Sequence, residues 1–264
     1  MAALKGAILS GIVDAQIVDV SNEVEKHNYG QAGYILRAVW QHFPVGTIHI
    51  NLVSNPKVDV KTSNTNNIYI CIKHKGHYFL GPDNGVFSLV IDETPDAIVQ
   101  LNSVLPYSGQ AFPGLTMLVP VACGLAKGVN MFDLGIIREN IYRQFFFNPS
   151  LEENRIVGNV IYNDSYGNAI TNISKANFEA VFGQKPFQIE LKGYQNFINK
   201  ISDSYSDVAV SEKLALFNSL GFLELAQNFA SAKNLLGLRV GTTIRIDKYD
   251  NKNSKNDFQN WGGR

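Results

Sequence analysis

Asp164, Tyr166, Gly167 and Asn168 fall within five residues of one another in GNVIYNDSYGNAITNI, residues 158–173. A carboxylate can meet a cation, a ring can lie on the face of a base, and an amide can read a base edge. The run sits at a turn between two strand-forming stretches, Val160, Ile161 and Tyr162 before it and Ala169, Ile170, Thr171 and Ile173 after it. Gly167 can take a positive φ, and Asn and Asp bond their own backbone in such turns. Two readings follow, a plain β-hairpin tip or a small-molecule cradle. Two later segments favour the cradle. SDSYSD, residues 202–207, offers a second ring in Tyr205, and Asn218, Ser219 and Gly221 form a polar bend. An apolar-periodic helix is expected to follow from Phe222.

The elements that must position these groups are legible in outline. The chain has 264 residues, 45% hydrophobic and 17% charged, enough for one large or two modest domains. Its net charge is zero, which argues against a nucleic-acid partner or an anionic membrane surface. No run of about 18 apolar residues is present, so no membrane span is expected, and no signal-peptide pattern opens the chain. The cytoplasm is the expected compartment. Cys71 and Cys123 sit in apolar surroundings and read as buried free thiols. Of His27, His42, His49, His74 and His77, only the last two are closely spaced, and a strand would point them to opposite faces, so no metal site is expected.

In chain order, MAALKGAILS reads as a helix with Ala2, Ala3, Leu4, Ala7 and Ile8 on its apolar side. QIVDVS, residues 16–21, reads as a buried strand carrying Asp19 and Ser21 at its carboxyl end, where ligands collect in open α/β sheets. Asn28 to Gln41 reads as a helix ended by Pro44 and Gly46. HINLV is a strand, and Ser54 to Asn67 is a polar loop. Asn67 to Ile91 reads as strand, turn at Lys75-Gly76, strand and helix. A boundary falls around Pro149 to Asn154. Beyond it, short strands over 156–162, 169–173, 187–191, 214–218 and 242–246 suit a small β-barrel. The expected domains are therefore 1–150, 155–248 and a polar tail over 249–264.

Read together, these segments resemble the S-adenosylmethionine hydroxide adenosyltransferase family, the relatives of fluorinase and chlorinase, over nearly the whole chain. The family's aspartate, Phe-Gly-Asn and Thr-Asn match Asp164, Tyr166-Gly167-Asn168 and Thr171-Asn172. Its Ser-x-Gly-x-Leu-x-Ile-Ala segment matches Ser219, Gly221, Leu223 and Leu225-Ala226, with Asn228 following. Phe43-Pro44-Val45-Gly46-Thr47-Ile48-His49 and Pro82-Asp83-Asn84-Gly85 match further family runs.

The resemblance implies an α/β N-terminal domain with a central, mostly parallel sheet, plus a smaller all-β, barrel-like C-terminal domain. It also implies a homotrimer whose sites lie between one subunit's N-terminal domain and its neighbour's C-terminal domain. The implied substrate is S-adenosylmethionine, with adenosine as product and no cofactor. By position, Asn168 faces the adenine edge, Tyr166 and Tyr205 stack on its faces, Asp164 meets the methionine ammonium and Ser219 its carboxylate. His27 and Asn28 fall near the ribose, with helix N-capping as the alternative. Asn84 belongs to a strand-to-helix turn that either caps a helix or contacts the ligand.

The family's water-holding aspartate, arginine and histidine are replaced. The first falls on Ser54 (or Asn55), the second near Lys61, and the third on Pro113. Ser54 and Lys61 are the candidate substitutes, with Asn55 and His77 unassigned beside them. Binding without turnover is the alternative function. Met1 falls inside the family's first helix, so the sequence is expected to lack a preceding strand and its ribose-binding aspartate.

Overall fold

Tyr69, Ile70, Cys71 and Ile72 are all buried, so this strand has protein on both faces. The computed structural model describes residues 1–53, 68–102, 112–143, 148–191 and 196–249. They form two compact units, Met1–Phe145 and Phe146–Arg264.

The first unit contains α1 (Ala2–Gly11), α2 (Tyr29–Val39), β1 (Ile48–Ile50), β2 (Tyr69–His74) and β3 (His77–Pro82). It continues with α3 (Phe87–Val90), β4 (Ala97–Leu101), α4 (Val119–Ala126) and β5 (Gly135–Arg138). The sheet runs β1-β3-β2-β4-β5. Strand parity sorts its core. Ile70, Ile72, Phe79 and Ile98 pack with Trp40, Phe87 and Val90 on one face. Tyr69, Cys71, Leu80 and Val99 pack with Leu118, Val121, Ala122 and Leu125 on the other. Both cysteines are buried free thiols, as expected.

Three expectations are corrected here. The sheet is not mostly parallel: β1–β3 is parallel, while β2–β3, β2–β4 and β4–β5 are antiparallel. For β2 and β3 the reason is local, because Lys75 and Gly76 both have positive φ, 48° and 79°. That pair makes the tight hairpin turn that forces neighbouring strands antiparallel. Residues 16–21 are not a buried strand; Val18 is 63% exposed, and the segment pairs with no strand among the described residues. Apolar alternation favours a strand only where a neighbour supplies the ladder. Finally, His74 and His77 do not face opposite ways. A hairpin reverses between them, so they become directly paired residues, and both rings lie against Trp40.

The second unit holds β6 (Ser150–Glu152), β7 (Arg155–Asn163), β8 (Ala169–Ser174), α5 (Lys175–Val181), β9 (Phe187–Glu190) and β10 (Phe197–Ile198). It ends with β11 (Lys213–Phe217), β12 (Phe222–Gln227), α6 (Ala232–Leu235) and β13 (Thr243–Lys248). Its eight-stranded sheet runs β10-β9-β13-β7-β8-β12-β11, with β6 on β7. The two ends of that path meet in an Ile201–Ala215 bridge, where Ser202 N–H donates to Ala215 O at 2.7 Å. The sheet is thereby nearly a barrel. Ile156, Val160, Ile173, Phe178, Ile189, Leu223, Leu225 and Ile246 fill its interior.

The helix expected from Phe222 is a strand until Gln227. Gly221, at φ 74°, turns the chain back, and β12 then pairs with both β11 and β8. Two ladders outweigh a local helical period. The tail beyond Tyr249 lies outside the described residues. Among those described, no helix is long and apolar enough to cross a membrane.

Candidate functional site

The turn from Asn163 to Ala169 joins β7 to β8 and is built by its own polar groups. Asp164 Oδ1 accepts from Tyr166 N–H at 3.0 Å and Asn168 N–H at 2.8 Å, and its Oδ2 accepts from Asn168 Nδ2 at 3.0 Å. Gly167 N–H donates to Asp164 O at 3.1 Å. Asn163 Nδ2 ties the turn to Leu238 O at 2.8 Å. Gly167 is required twice. Its φ is 86°, and an added Cβ would lie 2.1 Å from Ser231 Oγ. Lys233 N–H closes the contact on Gly167 O at 2.8 Å.

This construction presents specific groups. A carboxylate only accepts, so Asp164 fixes which end of the Asn168 amide faces it. Asn168 is 7% exposed, while Tyr166 beside it is 81% exposed. An oriented amide next to an open ring suits a planar ligand with donors and acceptors on its edge.

The second cluster lies on β12 and the segment above it. Leu223 and Leu225 point into the barrel, so Glu224 and Ala226 point out. Residues 204–208 cover that outer face. Val208 packs on Leu214, Leu216 and Ala226, and Asn228 Nδ2 donates to Val208 O at 2.8 Å. Tyr205 O–H donates to Glu224 Oε1 at 2.6 Å, while the residue as a whole is 44% exposed. Asn218 Nδ2 lies 3.4 Å from Glu224 Oε2, and Asn218 Oδ1 accepts from Leu220 and Phe222 N–H, both at 3.1 Å. Glu224 is 4% exposed. Burial pushes its carboxyl above the ordinary range; the Tyr205 hydrogen bond opposes this, and the charge of Asp164 adds to it. Ser219 is exposed at the tip of the β11–β12 turn.

The structure thus joins Asp164 to Asn168 directly, and Tyr205 to Asn218 through Glu224. Sequence reasoning missed Glu224. Its signal was available, as a lone acid between apolar residues in FLELA, but only the pairing of β12 shows what it faces.

In the first unit, Asn28 Oδ1 caps α2 by accepting from Gln31 N–H at 2.9 Å. Asn84 is buried, donating to Val53 O at 2.7 Å and accepting from Val86 N–H at 3.2 Å. Asn51, also missed, accepts from Val53 N–H at 3.1 Å, and its buried Nδ2 has no partner among the described residues. Ser54, Asn55 and Lys61 lie outside the described residues. Pro113 opens the turn over Gly114–Leu118 and carries no polar side-chain atom, and Thr116 Oγ1 lies 3.3 Å from Phe112 O. His77 Nδ1 is 3.2 Å from His49 Nε2, a bond in which one ring donates and the other accepts. Burial holds His49 down at about 4 and lowers His74 and His77.

The S-adenosylmethionine hydroxide adenosyltransferase N-terminal domain matches residues 1–135, and its C-terminal domain matches residues 158–245. An (R)-S-adenosyl-L-methionine hydrolase of Methanocaldococcus jannaschii is 27% identical over 92% of this chain and 89% of its own. One of Thermus thermophilus is 24% identical over 93% of each. The solved structure of an uncharacterized conserved protein from Thermotoga maritima covers 94% of both chains with a TM-score of 0.77 and 26% identity. The domain matches account for both units and for the segments that form both polar clusters, and the chain belongs to the S-adenosylmethionine hydroxide adenosyltransferase family.

Proposed function

We propose that the protein is an S-adenosylmethionine hydrolase-like enzyme. A water oxygen bonds to ribose C5′ as the C5′–sulfur bond breaks. The electron pair goes to sulfur, methionine leaves as a neutral thioether, and the water's proton passes to solvent. The leaving sulfonium needs no cofactor, so the protein's tasks are alignment and exclusion of water.

The observation that carries this reading is the turn in which Asp164 orients Asn168 beside the open ring of Tyr166. An oriented amide suits the N6/N7 edge of adenine. Tyr166 and Tyr205 supply stacking faces, each worth about 1–3 kcal/mol by analogy with other base–aromatic contacts. Asp164 offers charge to the ammonium and Ser219 a hydroxyl to the carboxylate. The family resemblance sets Asn28 near the ribose, where its side chain also caps α2, while the buried Asn84 shapes the turn between β3 and α3. The family resemblance supports a homotrimer with sites shared between neighbouring copies, tested by light scattering as a mass near three times 29.2 kDa. Two unpaired thiols suit the cytoplasm.

The test is incubation with S-adenosylmethionine in ¹⁸O-labelled water. Adenosine carrying the label at its 5′ oxygen, with equimolar methionine, is the expected result. Ser54→Ala and Lys61→Ala report whether those residues handle the water. A second reading, binding without turnover, is favoured by Pro113, which cannot hold a water through its side chain. Calorimetric binding of S-adenosylmethionine with no labelled adenosine would select it.

A further inference from the structure

Glu224 is an expensive residue where it stands. By strand parity it points away from the barrel interior, yet it is 4% exposed because residues 204–208 cover it. A buried carboxylate without a cation loses its hydration, and Glu224 makes no ion pair among the described residues. An apolar side chain there would extend the patch formed by Leu214, Leu216, Ala226 and Val208. What the carboxylate gains instead is the phenol of Tyr205, at 2.6 Å. That bond ties down the polar end of a residue that is otherwise open to solvent.

We propose that Glu224 is a positioning residue for the nucleobase end of the site, setting the plane of the Tyr205 ring through its phenol so that a purine finds a fixed stacking face. The inference rests on the adenosine-binding reading above. A tyrosine held only by its backbone loses rotamer freedom when a ligand stacks on it; one held by its hydroxyl has lost that freedom beforehand. The groups facing the carboxylate are Tyr205 from the covering segment, Asn218 from the β11–β12 turn and the charge of Asp164 from the β7–β8 turn. Burial and the charge of Asp164 raise the Glu224 carboxyl against the hydrogen bonds of Tyr205 and Asn218, so its protonation, and with it the weakening of the phenol bond, sets in at a higher pH than for an ordinary carboxyl.

The experiment is adenosine calorimetry on the full chain at pH values from 7.5 to 5, over which adenosine keeps its charge. The proteins are wild type, Glu224→Gln, Tyr205→Phe and the double variant. The expected result is a loss of about tenfold in affinity for each single variant, since a hydrogen bond to a charged group is involved, with no further loss in the double. Wild-type affinity falls as the pH drops, and neither single variant shows that fall. Wild-type binding together with unchanged affinity and pH profile in Glu224→Gln overturns the inference alone, as does full additivity of the two losses. Should Glu224→Gln fail to fold, Tyr205→Phe decides, because it keeps the ring and removes only the bond. A wild-type protein that binds no adenosine overturns the functional reading and this inference with it.

Discussion

Two buried polar clusters, one in each unit, behave differently. In the first unit His49, His74 and His77 are each 5% exposed or less and are walled by Trp40, Phe43 and Phe79. Their hydrogen bonding turns inward, and Trp40 Nε1 and His74 Nδ1 have no partner among the described residues. In the second unit Glu224 is as deeply buried, but its partner Tyr205 reaches the surface, and Asn168 lies beside the exposed Tyr166. Depth and perturbed ionisation are common to both. Among the described residues, the second cluster ends in groups that reach the surface, while the histidine cluster does not. The outward-leading hydrogen-bond chain is what makes the second cluster the candidate for a ligand, and the closed one is what gives the histidines the character of a core.

The strongest test of this contrast is Gly167→Ala. The substitution forces an alanine to φ 86° and sets its Cβ against Ser231. The expected outcome is roughly 2–3 kcal/mol lost from the second unit in urea unfolding, with adenosine binding weakened beyond detection by calorimetry. Retention of full affinity would detach the turn from the ligand.

Acid should act on the other cluster. His49 is held at about 4 in the folded protein, below its ordinary 6.5. The unfolded chain therefore takes up the proton first as pH falls. Stability is intact above about pH 6.5 and declines towards pH 4, by about 2 kcal/mol at pH 5 from His49 alone. His74 and His77 add in the same direction, with Lys75 lowering His74 further and Asp96 and Glu93 opposing. Urea unfolding followed by Trp40 fluorescence at pH 7 and pH 5 measures it. A His49→Phe/His77→Phe double variant should lose most of this pH dependence; an equally steep profile in that variant would assign it elsewhere.

Asn168→Ala is expected to cost about 1.5 kcal/mol of adenosine affinity, roughly tenfold in Kd, while leaving acid stability alone. A change in the pH profile instead would mean that the two clusters are not separable. The smallest effect belongs to Lys5→Ala. The Lys5–Asp19 pair, 2.5 Å apart, is open to solvent, so its loss should leave the urea midpoint almost unchanged and any small shift should vanish in high salt.

What could be read in the sequence followed distance along the chain. The β2–β3 hairpin and the turn at Gly167 were legible, because Lys75-Gly76 and Asn-Asp-Ser-Tyr-Gly-Asn carry their own backbone instructions. Phe222 to Gln227 was misread because its partners, Ile170 and Leu216 among them, are set by pairing that no local period announces. Residues 16–21 show the converse, a strand-like run with no strand beside it. At the site, Asp164, Tyr166 and Asn168 stood together in sequence and stand together in space. Glu224 did not, since the phenol that explains it lies 19 residues away. The sequence allows Asn28 a helix cap or a ligand contact, and the cap is what the geometry displays.

The Ile201–Ala215 bridge does more than finish the barrel. Tyr205 follows it by only four residues, so the ring proposed to meet the ligand hangs from the seam of the cylinder. A ligand that stills Tyr205 must also still the seam. The amide proton of Ser202, donated across that seam to Ala215, should then exchange with deuterated solvent more slowly when adenosine is present. A stave-to-stave join in the protein wall becomes a built-in reporter of occupancy, read one proton at a time.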